Sequence, residues 1–214
     1  MPRIHENGPT VVKEYDELAA SYDEKWAFYT NATIRETLRR LPDLPGRNVL
    51  DVACGTGALL HTMQSTWPKT KLTGIDLSKE MLAQAKSRLS DRVDLRNAPV
   101  HQLPFRDEHF DMVVNTNSFH FFPACDEALL EMKRVIRPGG KLVITDWCDD
   151  FVSCRAMGHW LRLTGKSHHT IFKSMQLHSL IEQAGLRIVS LDIYKINWLW
   201  GLMTAIALKP EESL

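Results

Sequence analysis

The sequence has no long apolar run. Its most continuous one, Trp198 to Leu208, is about half of the roughly 20 residues that cross a bilayer, so a buried strand is expected there and no membrane partner. Cysteine is scarce: Cys54, Cys125, Cys148 and Cys154 form no CxxC pair. The opening, Met1-Pro2-Arg3-Ile4-His5-Glu6-Asn7-Gly8, is polar and lacks the apolar core of an export signal, so reduced thiols in a cytoplasm are the expectation. Nor does one charge prevail. Lys plus Arg and Asp plus Glu number 26 each, which leaves no basic field for nucleic acid. Internal repeats and low-complexity tracts are also missing.

What is present suits one packed domain. The 214 residues are 44% hydrophobic and 24% charged, enough for a single core. Short β-rich runs alternate with helical patterns, the sign of βαβ units and a parallel sheet. Strands are expected at 48–52, 71–76, 93–96, 110–114 and 142–145. Ser78 can cap a helix carrying Met81, Ala85 and Leu89, and a second helix from about Asp126 offers Leu129, Leu130, Met132, Val135 and Ile136. Arg137-Pro138-Gly139-Gly140 should stop it. A further helix through Leu177, Leu180, Ile181 and Ala184 precedes Gly185, and two strands close the chain as an antiparallel hairpin. The fold expected is α/β: a Rossmann-like, doubly wound, seven-stranded mixed sheet with helices on both faces. Residues 1–40 read as a helical lid and 148–173 as a cap insertion, both near the strand ends where such sheets bind ligands.

The strongest local signal is Val49-Leu50-Asp51-Val52-Ala53-Cys54-Gly55-Thr56-Gly57-Ala58. A strand runs into a turn whose glycines tolerate left-handed backbone, and the next helix offers free N–H groups to a phosphate or a carboxylate. A dinucleotide fingerprint begun at Gly55 would need a third glycine where Leu60 stands, and no GK[S/T] ending follows for a P-loop. Asp76 nevertheless ends the second strand, the place for a carboxylate that grips two ribose hydroxyls. A ribose without a pyrophosphate points to adenosine carrying an amino acid.

With Gly74-Ile75-Asp76-Leu77-Ser78 and Met81, Leu103-Pro104-Phe105 running to Phe110-Asp111-Met112-Val113-Val114, and Leu130-Glu131-Met132-Lys133-Arg134-Val135-Ile136-Arg137-Pro138-Gly139-Gly140-Lys141-Leu142, the chain resembles the class I S-adenosylmethionine-dependent methyltransferases. It is most similar to the small-molecule group that includes the ubiquinone/menaquinone-type C-methyltransferases. Tyr15-Asp16-Glu17-Leu18-Ala19 with Tyr22-Asp23 resembles that group's opening helix. The resemblance implies S-adenosylmethionine as cofactor and a small-molecule methyl acceptor. It implies that Gly55 and Gly57 lie against the methionine part, with Asp51 helping to fix the loop, and that Ala53, Thr56 and Tyr22 also bind the cofactor. Asp76 would bind the ribose, Leu77 and Met81 would flank the adenine, and Asn97 and Ala98 would meet its edge. Asn115 would sit near the transferring methyl.

His120 is the best-placed candidate base, with packing of the aromatic loop as the alternative. Tyr15, Tyr22 and Trp26 read as lid aromatics or as helix-face packing. His159, His168 and His169 have no metal-ligand spacing, so no metal is expected. Cys148 and Cys154 read as ordinary thiols, with an arsenic- or thiol-handling role as the sharper alternative. Trp198, Trp200 and Met203 are expected in the hairpin core. Asn115-Thr116-Asn117-Ser118 stands where nucleic-acid amino methyltransferases carry Asp/Asn-Pro-Pro-Tyr, which again disfavours that acceptor. A non-catalytic cofactor-binding module and a nicotinamide-dependent oxidoreductase are the rival functions.

Overall fold

The computed structural model describes residues 8–44, 46–163 and 170–211. His168 and His169 therefore lie outside the described residues. Two helices open the chain, α1 (Gly8–Leu18) and α2 (Tyr22–Leu38). Then follow β1 (Asn48–Val52), α3 (Ala58–Thr66), β2 (Lys71–Asp76), α4 (Lys79–Arg88), β3 (Asp94–Asn97), β4 (Phe110–Thr116) and α5 (Cys125–Val135). The chain continues through β5 (Ile136–Trp147), α6 (Val152–Leu163), α7 (Ser174–Gln183), β6 (Arg187–Lys195) and β7 (Gly201–Leu208).

The strands form one seven-stranded sheet in the order β3-β2-β1-β4-β5-β7-β6. β7 runs against the other strands of the sheet, pairing antiparallel with β5 on one side and β6 on the other. The order reverses between β1 and β4, and at such a switch point the loops diverge and leave a crevice.

Alternation along the central strands separates two cores. Leu50, Val113, Leu142 and Ile144 meet α5 and α7 through Leu129, Met132, Leu177 and Ile181. Val49, Met112, Val114 and Val143 face the other way, toward Ile34 of α2 and Leu59, Leu60, Met63, Ala85 and Leu89 of α3 and α4. Every one of these side chains is 9% exposed or less, so both faces of the sheet are covered, as a parallel sheet requires.

Three expectations need correction. Arg137-Pro138-Gly139-Gly140 does not form a separate turn: the helix ends at Val135, and β5 already runs from Ile136, which pairs with Phe110 across a bulge. Leu130 faces solvent, because it stands about 100° round the helix from its buried neighbour Leu129. Trp198 is 81% exposed rather than in the hairpin core. The Asn197 side-chain oxygen accepts from the backbone N–H groups of Leu199 and Trp200, and this tight turn leaves Trp198 at its tip. Met203 is fully buried, and Trp200 packs at 4.7 Å from Trp147.

The N-terminal helices do two jobs. The end of α2 is a core element: Thr37 donates to Thr145 at 2.9 Å, and Thr145 in turn meets Thr204 on β7. From these helices Val11, Val12, Tyr15, Tyr22, Thr30 and Ile34 line the crevice.

Candidate active site

The crevice holds a cavity of about 310 Å³ above the β1, β2 and β4 ends. Its floor begins with the turn after β1. Ala53 (φ 57°), Gly55 (φ 54°) and Gly57 (φ 74°) are all left-handed, a conformation that is strained for the alanine and marks this turn as built for a purpose. The two glycines are needed for different reasons. A Cβ at Gly55 would meet no atom within 4 Å, so this residue keeps backbone bare toward the cavity. A Cβ at Gly57 would come within 2.8 Å of Leu89, so this one lets α4 pack close.

Leu60 explains the missing third glycine. It is fully buried, and its side chain fills the space over Gly74, where a Cβ would meet it at 2.7 Å. The close helix–strand contact is made by a glycine on the strand instead of one on the helix.

Asp76 closes β2 and is the hub of the floor. One carboxylate oxygen accepts from Gly55 N–H and the other from Ser78 N–H, both at 2.8 Å. Burial pushes its pKa up, and the N–H donors of Ser78, Gly55 and Leu77 partly offset this. Asn97 supports the same corner by donating to the carbonyls of Asp76 and Leu77 at 2.9 and 2.8 Å. Its side chain is thus committed to the loop backbone, while Ala98 reaches the cavity.

Asp51 is buried, and neither carboxylate oxygen has a hydrogen-bond partner. The expectation that it fixes the loop is therefore corrected: it makes no bond to the loop. Burial, then the charge of Asp76, pushes its pKa well up. The side-chain oxygens of Asn115 and Asn117 are likewise buried without partners. The Asn115 amide is spent on Val52 O at 2.8 Å and Ser118 Oγ at 2.6 Å. Of these three residues Asn117 lines the cavity, and its oxygen is an acceptor suited to a ligand N–H group.

Of the residues expected to hold the cofactor, Ala53, Gly55, Thr56, Asp76, Leu77, Met81, Ala98 and Tyr22 line the cavity. Asp51, Gly57 and Asn115 are buried one layer behind, and Asn97 is exposed outside the wall. Above the floor are rings. Tyr15 lies 5.8 Å from Tyr22 and 5.4 Å, edge to face, from Phe121. Burial pushes both phenols up, Tyr22 to about 12, so both remain protonated donors at neutral pH.

His120 sits behind Phe121, 5% exposed and 4.1 Å from that ring, and is absent from the described cavity wall. Its Nδ1 lies 2.6 Å from Asp146, which also accepts from the His120 backbone N–H at 3.0 Å. Asp146 escaped the sequence reading, yet the signal was there: it ends an apolar strand as Asp76 does. Asn117, Ser118 and Phe121 were missed as wall residues, because nothing local marks them. Cys148 and Cys154 are buried, and burial pushes the Cys148 thiol to about 12, which leaves no reactive thiolate there. Among the described residues, no group of His, Cys, Asp and Glu could hold a metal ion, and no helix is long and apolar enough to cross a membrane.

Residues 50–144, the span that builds this floor, match the methyltransferase domain family. The chain is 30% identical over 151 residues to the ubiquinone/menaquinone biosynthesis C-methyltransferase of Desulfotalea psychrophila, covering 65% of this chain and 58% of that one. Over that span the chain is similar to methyltransferase domains. A fatty-acid O-methyltransferase of Mycolicibacterium smegmatis is 34% identical over 105 residues, 49% of this chain and 38% of that one. The match thus spans less than two thirds of the length of these curated relatives. In fold, the chain superposes with a TM-score of 0.81 on a chain of the complex between the Haloferax volcanii Trm112 methyltransferase activator and a methyltransferase, at 20% identity, covering 92% of this chain and 98% of that one. S-adenosylmethionine is the cofactor of methyltransferases of this kind.

Proposed function

We propose that this methyltransferase transfers a methyl group from S-adenosylmethionine to a small-molecule acceptor, with release of S-adenosylhomocysteine. The observation that carries the reading is Asp76, whose two oxygens are pinned by Gly55 and Ser78 so that their remaining lone pairs can receive a vicinal diol. Leu77, Met81 and Ala98 supply apolar contact for an adenine beside it. The unpartnered oxygen of Asn117, a residue of the cavity wall, favours the ammonium of an amino acid. Diol, aromatic base and amino acid together describe the cofactor.

The bound cofactor supplies a methyl already activated on a sulfonium. What remains for the protein is to hold an acceptor in line at about 3 Å, and alignment of this kind removes much of the barrier. Tyr15, Tyr22, Phe121 and Ile34 provide an apolar, aromatic wall for that purpose, and the quinone and fatty-acid relatives favour an acceptor with a large apolar part. His120, held by Asp146, backs this wall through Phe121, and we assign the pair the support of the acceptor side rather than direct contact. Residues 11–30 serve as lid. The test is turnover: the protein with labelled S-adenosylmethionine and a panel of apolar phenols, quinols, amines and carboxylates. Stoichiometric S-adenosylhomocysteine with a methylated product supports the enzyme. Tight cofactor binding without turnover on any member would favour a non-catalytic binding module.

A further inference from the structure

The lid is tied to the floor by side chains outside the cavity wall. Asp23, at the start of α2, accepts from Thr56 Oγ1 at 2.7 Å and pairs with Arg88 at the end of α4. The same guanidinium donates from Nη1 to both the carbonyl and the hydroxyl of Thr56, each at 3.1 Å. Thr56 lies between the two left-handed glycines of the turn, so Arg88 and Asp23 grip that turn from behind. On α1, Asp16 accepts from Ser78 Oγ at 2.5 Å. Ser78 in turn caps α4 by accepting from Met81 N–H, and its own N–H holds Asp76. Each lid helix thus places one carboxylate on one ligand-binding loop: Asp16 on the strand-end Asp76 loop, and Asp23 on the glycine turn.

We infer that Asp23, Arg88 and Thr56 form a latch that joins lid closure to the order of the glycine turn, so that the cofactor leaves only after the latch opens. Tyr22, next to Asp23, and Tyr15, next to Asp16, are cavity residues, so breaking the two carboxylate contacts frees the rings that cover the ligand. Arg88 acts as a positioning residue, because it touches the turn and not the cavity. The Asp23 and Arg88 side chains are 37% and 28% exposed, so salt can reach the pair and weaken it. The inference rests on the cofactor reading above.

The experiment measures the S-adenosylhomocysteine dissociation rate by stopped-flow displacement and amide hydrogen exchange over residues 11–30 in the ligand-free protein. Arg88→Ala and Asp23→Ala should raise the dissociation rate about tenfold, and added salt should speed release from the wild type but not from the variants. The charge-swapped double variant, Asp23→Arg with Arg88→Asp, should recover part of the loss, which simple damage to α4 would not permit. Both single variants should also exchange faster over 11–30 without ligand. Unchanged release and unchanged exchange in folded variants would overturn the latch. If the wild type binds no S-adenosylhomocysteine, the cofactor reading fails, and ligand-free exchange alone then decides whether the latch exists.

Discussion

At one end of the cavity the wall is main chain and carboxylate, drawn from short segments around Gly55 and Asp76. At the other it is the rings of Tyr15, Tyr22 and Phe121, which meet only because α1, α2 and the loop after β4 fold over one sheet edge. The first end recognises fixed groups through directional bonds, so its residue types and spacing are narrowly set. The second needs only apolar surface of the right shape, which many sequences supply. On the proposed function, the comparison teaches that the cofactor end is set by local sequence, whereas acceptor choice belongs to tertiary structure.

The sharpest way to break this contrast is Asp76→Ala. Loss of hydrogen bonds to a charged group should cost about 1.5–3 kcal/mol of cofactor binding, roughly 10- to 150-fold in dissociation constant, while the acceptor KM at saturating cofactor stays within about twofold. An unchanged constant would remove Asp76 from the ribose.

The second test concerns Asp51. Its folded pKa is raised by burial, so the native state keeps a proton that the unfolded chain gives up at about pH 4. That contribution is fully present below the unfolded pKa and is lost as pH rises toward the folded one. Relative to Asp51→Asn, which never ionises, wild type should lose up to about 1.4 kcal/mol of stability per pH unit across that window. Paired denaturant titrations from pH 4 to 8 measure it, and a flat difference would mean that Asp51 has a partner after all.

A smaller effect is expected at the other end. Phe121→Ala removes a ring contact worth about 0.5–1.5 kcal/mol and should lower kcat/KM for the acceptor while S-adenosylhomocysteine affinity stays within about twofold. Equal losses in both would merge the two ends into one site. The smallest effect belongs to Trp198→Ser, which should shift stability by no more than about 0.5 kcal/mol because the side chain lies in solvent. A loss of several kcal/mol in a thermal melt would return Trp198 to the core.

The same contrast explains what could be read in advance. The strands at 48–52 and 71–76 stand where alternation and turn residues put them, and the Gly55–Gly57 turn followed Asp51 as spacing required. These are local patterns with local causes. The long β5 was hidden because Pro138 and two glycines resemble a helix stop, yet the pairing of Ile136 with Phe110 draws them into the sheet. Asn97 was legible in place but not in use: its amide serves the backbone of Asp76 and Leu77, which only the folded loop reveals. His120 stood beside the right loop, but the burial that puts it behind Phe121 comes from β5 through Asp146. The pair Asp23 and Arg88 had no signal at all, since helices brought together by the sheet place them side by side.

The most direct test of the central claim is isothermal titration of the purified protein with S-adenosylhomocysteine, run beside NADH and NADPH. One-site saturable binding of S-adenosylhomocysteine alone is predicted, weakened roughly 10- to 150-fold by Asp76→Ala. Binding of a nicotinamide cofactor, or no binding of S-adenosylhomocysteine, would contradict the account.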